Sequence, residues 1–127
     1  MTAVAEQKLA ADRRIEVRCL DAERMPFEDG SFDVVTAMLL FHELPEDAAT
    51  RILGEMRRVC RDGGEVAVLE PYGEDGTGKI LHPIPFPEPY LKEFLGTDWG
   101  AAFTAAGFTA VRTLVSADGW VRVARAA

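Results

Sequence analysis

The sequence predicts an α/β fold in which a mostly parallel sheet ends in an antiparallel hairpin. Three observations support this prediction. The run Phe32–Leu40 is almost continuously apolar, as expected for a strand buried on both faces. Residues 46–60 carry apolar side chains at helical spacing. Near the C-terminus, Asp118-Gly119 separates two strand-like runs, which is typical of a hairpin turn.

The individual elements follow from local patterns. Residues 3–11 consist mainly of good helix formers and predict a short helix. Residues 15–20 alternate apolar and charged side chains, which is the period of a strand. Thr97 can cap a helix that Gly107 ends. We therefore expect strands near 15–20, 32–39, 65–69, 108–115 and 120–125, with the main helices near 46–60 and 98–106.

Composition limits the classes of function. The 127 residues predict one domain, 1–127, and the net charge of -7 argues against a nucleic-acid partner. No apolar stretch is long enough for a membrane span, and the N-terminal residues lack the pattern of a signal peptide. Cys19 and Cys60 lie in apolar runs and are expected to be buried free thiols, which fits a cytoplasmic protein. No metal site is predicted.

Two segments carry a resemblance to a known family: IEVRCLDAERMPFEDGSFDVVTAMLLFHEL, which begins at Ile15, and RILGEMRRVCRDGGEVAVLEPY, which begins at Arg51. They resemble the middle of a class I S-adenosylmethionine-dependent methyltransferase of the type 11 kind. The resemblance implies a three-layer Rossmann-like sheet, S-adenosylmethionine as the cofactor and a small molecule as the methyl acceptor.

The resemblance also implies site residues. Asp21 and Ala22 match the positions that contact the adenine ring, where a carboxylate accepts from the amino group and the next backbone N–H meets a ring nitrogen. Ala37, Met38 and Leu39 match the strand end beside the cofactor, where open α/β sheets bind their ligands. His42 matches a position that can supply a base or orient the acceptor, although a structural role is the alternative.

The family's glycine-rich first turn and second acidic strand end have no counterpart before Asp21. We therefore expect an N-terminally truncated core with weak cofactor binding. The alternative function is a non-catalytic methyltransferase-like module that dimerises or binds a protein partner. An unpaired Phe32–Leu40 edge could be covered by residues 15–20 or by a second copy, and we favour the second copy.

One further motif resembles a phosphate-binding loop. Residues 73–79 have the G-x-x-x-x-G-K spacing, but Ile80 replaces the hydroxyl residue and two acids lie inside the loop. We expect a loop near the substrate rather than a nucleotide site. Four nearby residues could line a pocket or pack as aromatic core: His82, Phe86, Tyr90 and Trp99.

Overall fold

The computed structural model describes residues 2–70, 88–116 and 119–126. The described helices are α1 (Thr2–Leu9), α2 (Glu46–Val59), α3 (Leu91–Gly96) and α4 (Trp99–Ala105), with a short 3-10 turn at Phe41–Glu43. The strands are β1 (Phe32–Met38), β2 (Cys60–Glu70), β3 (Phe108–Ser116) and β4 (Gly119–Ala126). Residues 73–79, His82 and Phe86, which the sequence singled out, lie outside the described residues.

The four strands form a mixed sheet in the order β1-β2-β4-β3. β1 pairs with β2 in parallel, whereas β4 pairs with both β2 and β3 in antiparallel fashion. The predicted α/β class is confirmed, and so is the hairpin, in which Ser116 pairs with Gly119. A mostly parallel sheet was predicted, but one of the three strand pairs in the described sheet is parallel and two are antiparallel.

α2 packs its apolar stripe against the sheet. The stripe buries Ala49, Ile52, Leu53, Met56 and Val59. On the sheet, Val66 and Val68 of β2 and Ala124 of β4 belong to the same core cluster. The helical period of apolar residues therefore predicted both the element and the face that it buries.

The predicted strand at Ile15–Leu20 is wrong. These residues have no regular secondary structure, and Ile15 and Leu20 are 46% and 41% exposed. Alternation predicts which side chains share a face, but a strand also needs a neighbour that satisfies its backbone N–H and C=O groups. Residues 15–20 therefore do not cover β1, which remains an edge strand of the described sheet.

β2 begins at Cys60, earlier than the predicted start at residue 65. Its register against β1 shifts between Phe32 and Val34, so Gly63 and Gly64 lie in a bulge inside the strand. A Cβ at Gly64 would lie 2.7 Å from the carbonyl oxygen of Asp33, so the two chains can approach only because this residue is glycine.

The cysteines differ from the prediction in one respect. Both thiols are free and Cys60 is buried, but Cys19 is exposed because its segment does not join the sheet. Among the described residues no helix has the length and apolarity needed to cross a membrane. The same residues contain no group of three or more His, Cys, Asp and Glu side chains placed to hold a metal ion.

Candidate functional site

The carboxyl ends of the parallel pair β1 and β2 lie at the same edge of the sheet. β1 ends in a turn at Leu39, whose backbone has φ = 54° while its N–H donates to the carbonyl of Leu69 at 2.8 Å. A non-glycine residue with positive φ is strained and persists only where its surroundings hold it. This turn is held by the side chain of Glu70, the residue after Leu69.

Glu70 is the last residue of β2 and is only 1% exposed. Its Oε1 accepts from the backbone N–H of Phe41 at 2.7 Å and of Leu40 at 3.2 Å. Its Oε2 faces Nδ1 of His42 at 2.5 Å. A buried carboxylate needs such partners, because an unpaired charge in the interior is very unfavourable. Glu70 thus joins the end of β2 to the turn that follows β1.

His42 is itself buried, at 6% exposure. With Nδ1–H donating to Glu70, the other ring nitrogen, Nε2, lies 4.0 Å from the exposed carboxylate of Glu43. Burial tends to lower the pKa of His42, but the hydrogen bond and charge of Glu70, together with the charges of Glu88 and Glu43, outweigh it and raise the pKa. The arrangement is an imidazole whose tautomer and orientation are set by a buried carboxylate.

Aromatic side chains fix the position of the 3-10 turn. Phe41 is fully buried, and its ring lies 5.3 Å from that of Trp99. Trp99 packs at the same distance from Phe94 and donates its indole N–H to the Phe94 carbonyl at 3.0 Å. The ring of His42 meets Phe94 edge-on. Trp99 is therefore core, as the packing alternative predicted, and it holds the backbone that carries His42.

The predicted adenine contacts lie in a turn on α2. Oδ1 of Asp21 accepts from the N–H of Glu23 at 2.9 Å, and the side chain of Asp21 is exposed. Ala22 packs against the core cluster, while Glu23 forms an ion pair with Arg51 of α2. The turn thus exposes the Asp21 carboxylate to solvent, while Ala22 and Glu23 attach its backbone to the core and to α2.

The predicted strand-end residues lie at the carboxyl edge, immediately before the 3-10 turn that carries His42. Ala37 packs on the core, whereas Met38 is 69% and Leu39 48% exposed. Two large apolar side chains open to solvent at a strand end are suited to contact a flat, weakly polar ring. The structure therefore brings Ala37, Met38, Leu39 and His42 together, and places Asp21 and Ala22 in the turn on α2.

Glu70 was missed by the analysis of the sequence. The signal was present, because the buried run Val66–Leu69 leads directly into an acidic residue. Its partners lie 28 to 30 residues earlier in the chain, so no local pattern could pair it with His42.

Comparison with known proteins agrees with this architecture. The family model described as "Methyltransferase domain" matches residues 1–68, more than half of the chain. The chain belongs to the class I S-adenosylmethionine-dependent methyltransferase family. S-adenosylmethionine, the predicted cofactor, is the cofactor of that family.

Two curated relatives and one solved structure illustrate the match. This methyltransferase-family chain is 36% identical over 96 residues to phosphatidylethanolamine N-methyltransferase of Cereibacter sphaeroides, covering 75% of this chain and 44% of the relative. It is 35% identical over 106 residues to demethylmenaquinone methyltransferase of Thermus thermophilus, covering 80% and 47%. Human N-acetylserotonin methyltransferase, solved in complex with S-adenosylmethionine, superposes with a TM-score of 0.70 at 18% identity, covering 98% of this chain and 37% of that one. The chain spans about half the length of these curated relatives.

Proposed function

We propose that this chain carries part of an S-adenosylmethionine-dependent methyltransferase that acts on a small molecule, with His42 as its general base. The observation that carries the proposal is the buried hydrogen bond between His42 and Glu70 at the carboxyl edge of the sheet. Ligand sites of open α/β sheets lie at this edge. A base held by a buried carboxylate is a recurrent catalytic arrangement.

When bound, S-adenosylmethionine supplies an electrophilic methyl group. The chain's own residues act on the acceptor. We propose that His42 takes the acceptor's acidic proton at Nε2, so that the electron pair left behind is available, directly or by conjugation, to the atom that is methylated. Glu70 accepts from Nδ1–H and stabilises the imidazolium that results. The buried aromatic packing of Phe41 keeps the imidazole in place between turnovers.

The residues present fit the adenine half of the cofactor. Asp21 offers an exposed carboxylate to the adenine amino group, and the backbone N–H of Ala22 is the proposed donor to a ring nitrogen. Ala37, Met38 and Leu39 supply apolar surface at the strand end. We propose that these contacts alone give weak binding, because they reach only the adenine part of the cofactor.

The acceptor is proposed to arrive with an acidic proton, either on the nitrogen that is methylated or on a hydroxyl conjugated to the carbon that is methylated. The two relatives are named for demethylmenaquinone and for the nitrogen of phosphatidylethanolamine. A base is required only when the acceptor arrives protonated, and the raised pKa of His42 makes its neutral form a stronger base.

The test is transfer of a radiolabelled methyl group from S-adenosylmethionine to reduced demethylmenaquinone and to phosphatidylethanolamine in separate reactions. We expect His42→Gln to reduce transfer by about 100-fold or more. His42→Gln should leave cofactor affinity unchanged, because His42 acts on the acceptor. A variant as active as the wild type would refute the role of His42.

A second candidate function rests on the exposed edge of β1. On this strand Val34 and Met38 are 57% and 69% exposed, and β1 has an unpaired side in the described sheet. We propose that a second copy of the chain covers this edge, since identical edge strands can pair antiparallel about a two-fold axis. In this case the chain acts as a non-catalytic methyltransferase-like module that dimerises.

A further inference from the structure

Arg58, near the end of α2, holds the loop that follows the adenine turn. Its Nη2 donates to the carbonyl of Met25 at 2.9 Å. Its Nε and Nη2 form a fork with the two carboxylate oxygens of Glu55 at 2.7 and 2.8 Å. Glu55 in turn accepts from the N–H of Met25 at 2.8 Å. Both polar groups of the Met25 backbone are therefore bound by this one pair.

The same guanidinium reaches further along the loop. Nη1 of Arg58 donates to the carbonyl of Phe27 and to the carboxylate of Asp29, both at 2.8 Å. The carbonyl of Arg58 accepts from the N–H of Gly30 at 2.8 Å. The guanidinium of Arg58 thus donates five hydrogen bonds within the described part of the chain, two to Glu55 and one each to Met25, Phe27 and Asp29. A lysine cannot reproduce this planar fork of N–H groups.

The pair is charged and partly shielded from solvent. The side chains of Arg58 and Glu55 are 31% and 18% exposed. The hydrogen bond from Arg58 holds the pKa of Glu55 below its ordinary value, despite burial that would raise it. A guanidinium that bonds two loop carbonyls and a loop carboxylate fixes backbone geometry as well as charge.

The loop fixed in this way begins immediately after the turn of Asp21. The carbonyl of Asp21 accepts from the N–H of Arg24, the residue before Met25. Since Met25 is held from both sides, the Arg58–Glu55 pair fixes the C-terminal end of the Asp21–Ala22 turn, in addition to the core packing of Ala22 and the Glu23–Arg51 ion pair. A turn whose orientation is set before binding avoids the entropy of ordering at the moment of binding.

We propose that Arg58 and Glu55 are positioning residues for the cofactor, which hold the Asp21–Ala22 turn against α2. This inference rests on the proposed adenine site. Neither side chain needs to touch the cofactor, because both act through the backbone of the loop.

The test compares two charge-conserving variants, Arg58→Lys and Arg57→Lys. Arg57 is also on α2, but it donates to the carbonyls of Gly107 and Cys60 and to Asp62, which lie outside the adenine loop. Calorimetric titration with S-adenosylmethionine should show roughly tenfold weaker binding for Arg58→Lys and little change for Arg57→Lys. Hydrogen exchange should increase selectively over residues 21–30 in Arg58→Lys.

A purely structural role gives a different result. Arg58→Lys would then lower the urea midpoint while the folded chain binds the cofactor as tightly as the wild type, and this would overturn the inference alone. Glu55→Gln provides a second variant if Arg58→Lys does not fold, with weaker binding again expected. Unchanged affinity in Asp21→Ala, or no binding by the wild type, would overturn the adenine site and this inference together.

Discussion

Replacing Glu70 by Gln should destabilise the fold and change its pH dependence. The two side chains have nearly the same shape, so packing around this buried position is preserved. The Gln oxygen can still accept from the N–H groups of Leu40 and Phe41, but the charge is lost. The amide nitrogen then faces Nδ1 of His42, which can no longer donate there.

The size of the effect follows from these contacts. Hydrogen bonds to charged groups contribute about 1.5–3 kcal/mol each, and neutral bonds about 0.5–1.5 kcal/mol. Changing the His42 contact from charged to neutral should therefore lower the free energy of unfolding by about 2 kcal/mol below pH 6. With a typical urea dependence, the unfolding midpoint should fall by about 1 M.

The sign of the pH dependence follows from the raised pKa of His42. In the wild type the folded state binds the proton more tightly than the unfolded state, whose pKa stays near 6.5. The stabilisation from His42 is complete below that value and is lost as the pH rises through the raised folded pKa. In Glu70→Gln burial dominates, so this loss with increasing pH should disappear or reverse.

The assay is urea unfolding followed by circular dichroism from pH 5.5 to pH 8.5. The sequence has two histidines, so both proteins should carry His82→Gln to leave His42 as the only imidazole. Glu65→Gln on the same strand is the matched control, because its carboxylate is half exposed and lies 3.6 Å from Arg125. An exposed pair of this kind should change stability by less than about 1 kcal/mol. A Glu70→Gln protein with the wild-type pH slope would refute the reasoning.

Three other predictions concern the cofactor, the bulge and the edge. The isolated chain should bind S-adenosylmethionine more weakly than about 1 μM, and Asp21→Ala should weaken binding further in a calorimetric titration; submicromolar binding, or an unchanged affinity, would contradict this. In thermal unfolding, Gly64→Ala should destabilise the fold by about 1–3 kcal/mol, because the added Cβ would clash with backbone atoms. The control Gly54→Ala on α2 should stabilise the fold by up to about 1 kcal/mol, because its Cβ would have nothing within 4 Å. Sedimentation at micromolar concentration should show a dimer that Val34→Lys on β1 disrupts and Leu114→Lys on the opposite edge strand does not; a strictly monomeric wild type would exclude the dimer.

Sequence periodicity correctly predicted the elements that are defined by residues close together in the chain. α2 was predicted with its buried face because Ile52, Leu53 and Met56 recur at helical spacing, and that spacing has one structural solution. The hairpin of β3 and β4 was predicted because its strands are neighbours along the chain. In both cases the residues that interact are close in sequence.

What the sequence did not predict depends on contacts between residues that are far apart in the chain. Residues 15–20 have the alternation of a strand, but a strand exists only when a distant segment pairs with it. The pairing of Glu70 could not be recognised because its partners, Leu40, Phe41 and His42, lie 28 to 30 residues earlier in the chain. Asp21 and Ala22 came from the family resemblance, and the support that Arg58 gives their loop became visible only in three dimensions.

The His42–Glu70 pair places opposite pH requirements on stability and on the proposed catalysis. The pair stabilises the fold most when the imidazole is protonated in both states, below the unfolded-state pKa of 6.5. A general base must instead be neutral before it takes a proton, so activity should increase as the pH rises through the same pKa. The chain should therefore be most stable where His42 is least able to act. If His42 is the base, the loss of stability should level off at the same raised folded pKa at which methyl transfer reaches half of its increase, and a transfer midpoint elsewhere would assign the base to another residue.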